Sequence, residues 1–260
     1  MKIFKQVGNH KGICELGNDL GDVYAVLGRL DQAFTSYRLS LEACAKSNEA
    51  SGIGMAHNNL GTLYDTQVKY NQAAGHFTES LRICRGLGDV QGEGAALHNL
   101  GLVHEAVGRY DDALDHFRKA LICFRKSGDL MNQGYVLVAQ ALIHENRFHY
   151  QHAEVCLGKA LNIFTKGGEK THRGTALCNL GSIQYGSGKL KEAIQSFALS
   201  FKILVDSGAL ESAAIPLNGA GNIALDWGQY DQAMDYFERS LSYSFVFFVV
   251  FDLGVLSDSA

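Results

Sequence analysis

No segment of this sequence concentrates positive charge. Its 260 residues hold 23 Lys and Arg against 27 Asp and Glu, a net charge of -4. Nucleic acid, which needs a basic patch or stripe, is therefore excluded as the expected partner. The six cysteines include no CxxC, and the opening residues MKIFKQVGNHKG carry no apolar leader. A disulfide framework is thus disfavoured; a reduced, cytoplasmic setting is expected, with Cys44 and Cys84 as core residues. No apolar run is long enough to cross a bilayer as a helix: the longest, at 245–256, is too short and is interrupted by Asp252. Disorder is excluded by composition, which is 47% hydrophobic and 19% charged.

Signatures of catalysis are equally scarce. The string GLGDVQGEG at 86–94 has no strand pattern before it, and its glycines do not fall as GxGxxG. KGGEKT at 166–171 lacks the full spacing of a phosphate loop. His144, His149, His152 and Glu145 form the densest group of candidate metal ligands, but no HExxH or related spacing aligns them, and packing accounts for them equally. Nothing pairs a nucleophile with a base. The sequence therefore predicts no enzyme, no cofactor and no metal.

What is present is a period. Shifting the sequence by 40 residues keeps it in register without an insertion. Ala33, Ala73, Ala113, Ala153, Ala193 and Ala233 share one slot. Four residues later come Tyr37, Phe77, Phe117, Leu157, Phe197 and Phe237; eight later come Leu41, Leu81, Leu121, Leu161, Phe201 and Leu241. This spacing marks one face of a helix, here helix B. A preceding helix A carries Gly21, Gly61, Gly101, Gly181 and Gly221, with Ala141 as the one substitute. Gly inside a helix costs about 1 kcal/mol relative to Ala, and the compensation expected is close approach of helix A to the Ala of helix B. Asp31, Asn71, Asp111 and Asp231 are expected to cap helix B at its start. Gly8, Asn48, Gly88, Gly128, Gly168 and Gly208 are expected to close it in the left-handed conformation.

The ordered set Gly101, Gly108, Tyr110, Ala113, Phe117, Ala120 and Leu121 resembles the tetratricopeptide repeat. The 40-residue period with a GDVQG linker (88–92) is similar to the long-repeat subclass that includes LGN-type adaptors. A proline near the end of helix B, usual in that family, is missing; the one proline, Pro216, lies in a helix A. The resemblance covers nearly the whole chain. It implies an all-α, right-handed α-solenoid of about six antiparallel helix pairs: repeats at 13–52, 53–92, 93–132, 133–172, 173–212 and 213–244, with 1–12 ending a preceding repeat. The apolar residues at 245–256 are expected to follow a sixth helix B that stops near Ser244. They either pack on the exposed end of repeat six, lie outside the family pattern as an aggregating segment, or anchor to a membrane. Residues 2–8 align with 82–88, so the chain is expected to begin inside a helix B and to be a piece of a longer array, or a truncated or spliced product. Uncapped ends would permit self-association.

The resemblance also implies a concave wall lined by helix A, where partner peptides lie. Its variable positions hold Asn18, Asn58, Asn59, Asn99, Asn179 and Asn218, a residue poorly suited to helix interiors. These amides either form a ladder for the backbone of a bound peptide or bond to neighbouring helices. Asp22, Asp65, Glu105, Glu145 and Asp226 follow the Gly slot, and the A segments lack Lys and Arg until Arg147 and Arg173 at their edges. A partner carboxylate would find no cation there. The expected function is a non-catalytic adaptor for a neutral or basic protein or peptide; the alternative is a regulatory sensor segment whose effector lies elsewhere. Arg82, Arg85, Arg118, Lys119, Arg125 and Lys126 fall on helix B, as a solvated convex face or a second surface for an acidic partner.

Overall fold

The computed structural model describes residues 9–257, with side chains over 9–244. Among the described residues there are twelve helices and no strand. In order they are α1 (His10–Val26), α2 (Leu30–Ser47), α3 (Ala50–Thr66), α4 (Tyr70–Leu87), α5 (Val90–Ala106), α6 (Tyr110–Ser127), α7 (Leu130–Asn146), α8 (Tyr150–Gly167), α9 (Lys170–Gly186), α10 (Leu190–Asp206), α11 (Leu210–Asp226) and α12 (Tyr230–Ser257). Odd-numbered helices are the A helices and even-numbered ones the B helices. The chain divides into two compact units, Met1–Asn132 and Gln133–Ala260.

In the first unit α1 packs on α2, α3 on α4 and α5 on α6, while α2 also packs on α3 and α4 on α5; α1, α3 and α5 stand side by side. The second unit repeats the scheme, with α9 on α10, α11 on α12 and α9 beside α11. The pairing follows from one recurring contact. A Cβ added to Gly61, Gly101, Gly181 or Gly221 would lie 2.5–2.7 Å from the ring of Phe77, Phe117, Phe197 or Phe237, and Gly21 faces Tyr37 in the same way. The glycine therefore seats the aromatic ring of helix B, not the alanine that helix spacing suggested. In the fourth repeat the glycine is Ala141 and the aromatic is Leu157; both are fully buried. Beside this seat the hydroxyls of Ser40, Ser80, Ser200 and Ser240 donate to the carbonyls of Cys14, Gly54, Gly174 and Ala214 at 2.6–2.9 Å. Each bond satisfies a buried polar group inside an apolar contact.

Helix ends obey two different rules. Asn48, Gly88, Gly128 and Gly168 close their B helices at φ of 57–74°, and Gly208 takes φ 77° one residue beyond the cap of α10. Helix starts differ from expectation: α2 begins at Leu30 with Arg29 as its cap, so Asp31 lies within the first turn and makes no capping bond. Asp111 and Asp231 likewise sit inside the first turns of α6 and α12, where they favour the positive end of the helix dipole. The sixth B helix does not stop near Ser244. Phe248 occupies the slot held elsewhere by Gly or Asn, the left-handed cap is lost, and α12 continues to Ser257. What the side chains of 245–257 touch, and the predicted helical start at 2–8, lie outside the described residues.

The cysteine expectation is corrected. Cys14 and Cys44 form a disulfide linking α1 to α2, so Cys44 is not a free core thiol. Cys84 is free and buried, as are Cys123 and Cys178.

Candidate protein-binding face

On the A helices of the first unit the asparagines form rungs between neighbouring helices. Asn99 Nδ2 of α5 donates to Asn58 Oδ1 of α3 at 2.9 Å. Asn59 Nδ2 of α3 donates to Asp22 Oδ1 of α1 at 3.1 Å, and the same oxygen accepts from Tyr37 Oη at 2.6 Å. An amide has two donor hydrogens and an acceptor oxygen, so one bond does not exhaust it. Asn59 Oδ1, Asn99 Oδ1 and Asn58 Nδ2 bond to no other described residue and are not among the buried unsatisfied atoms. The rungs thus order the amides while leaving polar atoms open. Asn18 differs: it is 3% exposed, with its side-chain oxygen buried and unpartnered. His98 replaces Asn in this register and packs on the Phe117 ring, and burial lowers its pKa to about 4.

Two carboxylates complete this face. Asp65 and Glu105 each stand in the last turn of an A helix, α3 and α5, where the helix dipole disfavours negative charge. Both are half-buried, no described residue pairs with either, and burial alone raises each pKa. A charge kept where both dipole and desolvation oppose it is poised to gain from a cation supplied by a partner. Between α3, α4 and α5 lies a cavity of about 210 Å³ with Asp22, Met55, Asn58, Asn59 and Leu87 in its lining.

The second unit carries the remaining candidates. Glu145, in the last turn of α7, is half-buried with its pKa raised by burial. Asn179 of α9 is half-buried, while Asn218 and Asp226 of α11 are exposed. Asp226 Oδ2 accepts from Tyr185 Oη of α9 at 2.8 Å, repeating the Tyr37–Asp22 bond in another register. The A helices are less free of cations than the sequence suggested, since Lys11 and Lys170 also lie in the first turns of α1 and α9.

Sequence reasoning missed the tyrosine clamp on Asp22 and the apolar lining of the cavity. The signal was present in Tyr37, the one hydroxyl-bearing residue in the aromatic slot. Of the B-helix cations, Arg82 pairs with Glu79 and Lys119 with Asp115 within their own helices, and Arg85 reaches across to Glu93 of α5; the three cations are themselves exposed. The ring centroids of His144, His149 and His152 lie 5.4–6.2 Å apart, but among the described residues no group of three ligands is placed to hold a metal ion. No described helix is long and apolar enough to cross a membrane.

Two tetratricopeptide-repeat models match the sequence, one over residues 13–86 and 92–166, the other over 174–203 and 217–246. The first alone covers more than half of the chain. The chain belongs to the tetratricopeptide repeat family. No curated protein matches it. Among solved structures, this tetratricopeptide protein is similar to the tetratricopeptide sensor-bearing STAND signal transduction ATPase of Pyrococcus horikoshii: TM-score 0.74, 18% identity, 92% of this chain and 37% of that one. It is also similar to aspartyl phosphate phosphatase F of Bacillus subtilis, with TM-score 0.68 and 18% identity over 88% of this chain and 59% of that one. BtubC (BKLC) of P. vanneervenii matches with TM-score 0.66 and 16% identity, over 80% of this chain and 93% of that one. At such identities the likeness shows the all-α tetratricopeptide fold alone.

Proposed function

We propose that this protein is a non-catalytic adaptor of the long-repeat, LGN-like kind, holding a neutral or basic peptide along the wall formed by its A helices. The supporting observation is the pair Asp65 and Glu105, half-buried, unpaired and set at helix C-termini. Asn58, Asn59 and Asn99 supply ordered amides beside them for a peptide backbone. The second unit, taken by itself, carries the same residue types in Glu145, Asn179, Asn218 and Asp226. Asn18 is too buried to touch a ligand in this arrangement. A cytoplasmic location and self-association belong to the same reading. One solved relative, a Rap protein, is seen complexed with competence and sporulation factor, which supports ligand binding on this architecture.

A second reading, a regulatory sensor segment, is favoured by the likeness to the Pyrococcus horikoshii protein, whose repeats are described as a sensor. The full open reading frame separates the two readings, since a joined effector domain would be encoded beside this segment.

The test is a peptide array graded by net charge, probed with the full chain and two variants. Asp65→Lys with Glu105→Lys is expected to weaken basic-peptide binding by about tenfold or more, while Lys119→Glu with Lys126→Glu leaves it within about twofold. Equal losses from both variants would remove the A-helix wall from consideration.

A further inference from the structure

The cavity between α3, α4 and α5 sets exposed apolar side chains beside polar acceptors. Its walls include Met55 and Leu87, which are 54% and 50% exposed although apolar. Its lining also includes Asp22, Asn59 and Asp89. Asp89 is already engaged, because its Oδ1 caps α5 by accepting from the Gly92 N–H at 3.0 Å. Asp22 is engaged on one oxygen only: Oδ1 accepts from Tyr37 and Asn59, and no described cation pairs with the carboxylate. Asp22 Oδ2 and Asn59 Oδ1 therefore remain as two acceptors beside an apolar slot.

The geometry points to a subsite for one arginine side chain of the bound peptide, its aliphatic stem against Met55 and Leu87 and its guanidinium on Asp22 and Asn59. This rests on the reading of the face as a peptide site. A purely apolar side chain would cover Asp22 without replacing its water, and an acidic one would meet Asp22 and Asp89 as like charges. Lysine matches the charge but brings a compact head, whereas the planar guanidinium fork can donate to both acceptors at once. Long charged side chains place apolar stem and polar head in this order.

The methyl-labelled 260-residue chain, with Met55 assigned among the four methionines by Met55→Leu, provides the assay. The probes are N-acetyl-arginine methylamide and its uncharged isostere, N-acetyl-citrulline methylamide. The arginine compound is expected to shift the Met55 methyl saturably, with citrulline weaker by about fivefold or more and Asp22→Asn losing a similar factor. Leu87→Trp, which fills the slot from an exposed position, is expected to abolish the shift even if Asp22→Asn disturbs Tyr37. Equal binding of the two probes, or a silent Met55 methyl, overturns the subsite. If charge-graded peptides still bind through Asp65 and Glu105 in that case, only the subsite fails. If they do not bind at all, the underlying reading fails with it.

Discussion

A glycine in mid-helix reads as a weakness until its partner is known. Gly101 lies under Phe117, and the added Cβ would sit 2.5 Å from the ring, a distance that real contacts do not reach. Gly101→Ala is therefore expected to cost about 1–3 kcal/mol through overpacking, despite the better helix propensity of alanine. The chain already contains the remedy, because the repeat that has Ala141 also has Leu157, and both are fully buried. Gly101→Ala combined with Phe117→Leu should recover part of the loss. Urea denaturation of the two single variants and the double variant measures the coupling, and strictly additive losses would refute the seating contact. The same logic explains why the disulfide was not legible. The positions of Cys14 and Cys44 correspond to Gly94 and Phe124 in the third repeat and to Gly134 and Phe164 in the fourth, each a glycine against a ring. Reading one slot through the 40-residue period aligns Cys44 with Cys84, but only pairing positions across helices brings Cys44 to Cys14.

The turns between helices separate what local chemistry fixes from what it leaves to context. B-helix ends were legible because a left-handed cap needs glycine or asparagine. The turns from A to B obey the same rule at Gly28, Gly108, Gly188 and Gly228, with φ of 69–79°, yet Val68 and Phe148 hold φ of 60° and 58° in the equivalent turns. A β-branched residue there is held against its preference by the closing bonds Val68 N–H to Asp65 O at 2.8 Å and Lys69 N–H to Tyr64 O at 2.9 Å. Val68 is 66% exposed, so little packing offsets the strain. Val68→Gly is expected to raise stability by about 1 kcal/mol, the left-handed penalty less the entropy of glycine in the unfolded chain. An unchanged or lower thermal midpoint would show that the strain is not there. Phe248 marks the opposite limit: without a cap-forming residue the backbone has no signal to stop, and α12 runs on.

Across the whole molecule the fold was readable from a period, whereas the binding face was readable only as a list of positions. Spacing assigns Asn58 and Asn99 to one wall but cannot show that they bond to each other, nor that Tyr37 orients Asp22. Titration is another property of the assembled chain. His57, His76, His98, His104 and His144 all have lowered pKa values, with burial as the leading cause. A histidine whose folded pKa is depressed binds fewer protons folded than unfolded, so its stability contribution is lost as pH falls below the unfolded value. For His98 that window runs from 6.5 down to about 4. Asp65, Glu105 and Glu145 have raised values and act in the opposite sense, adding stability as pH falls through those raised values toward the ordinary 3.8 and 4.5. The ordinary histidine value of 6.5 lies well above the carboxylate ones, so the histidine loss comes first as pH falls from 7 to 5. His98 alone is worth about 2 kcal/mol over that interval, or roughly 4–8 °C in thermal midpoint for a chain of this size. Melting curves recorded from pH 7 to 5 should show this fall, and His98→Asn, which restores the residue held at this position as Asn18, Asn58 and Asn218, should flatten it. A midpoint that is constant over the interval would mean that the ring of His98 is not buried against Phe117 in solution.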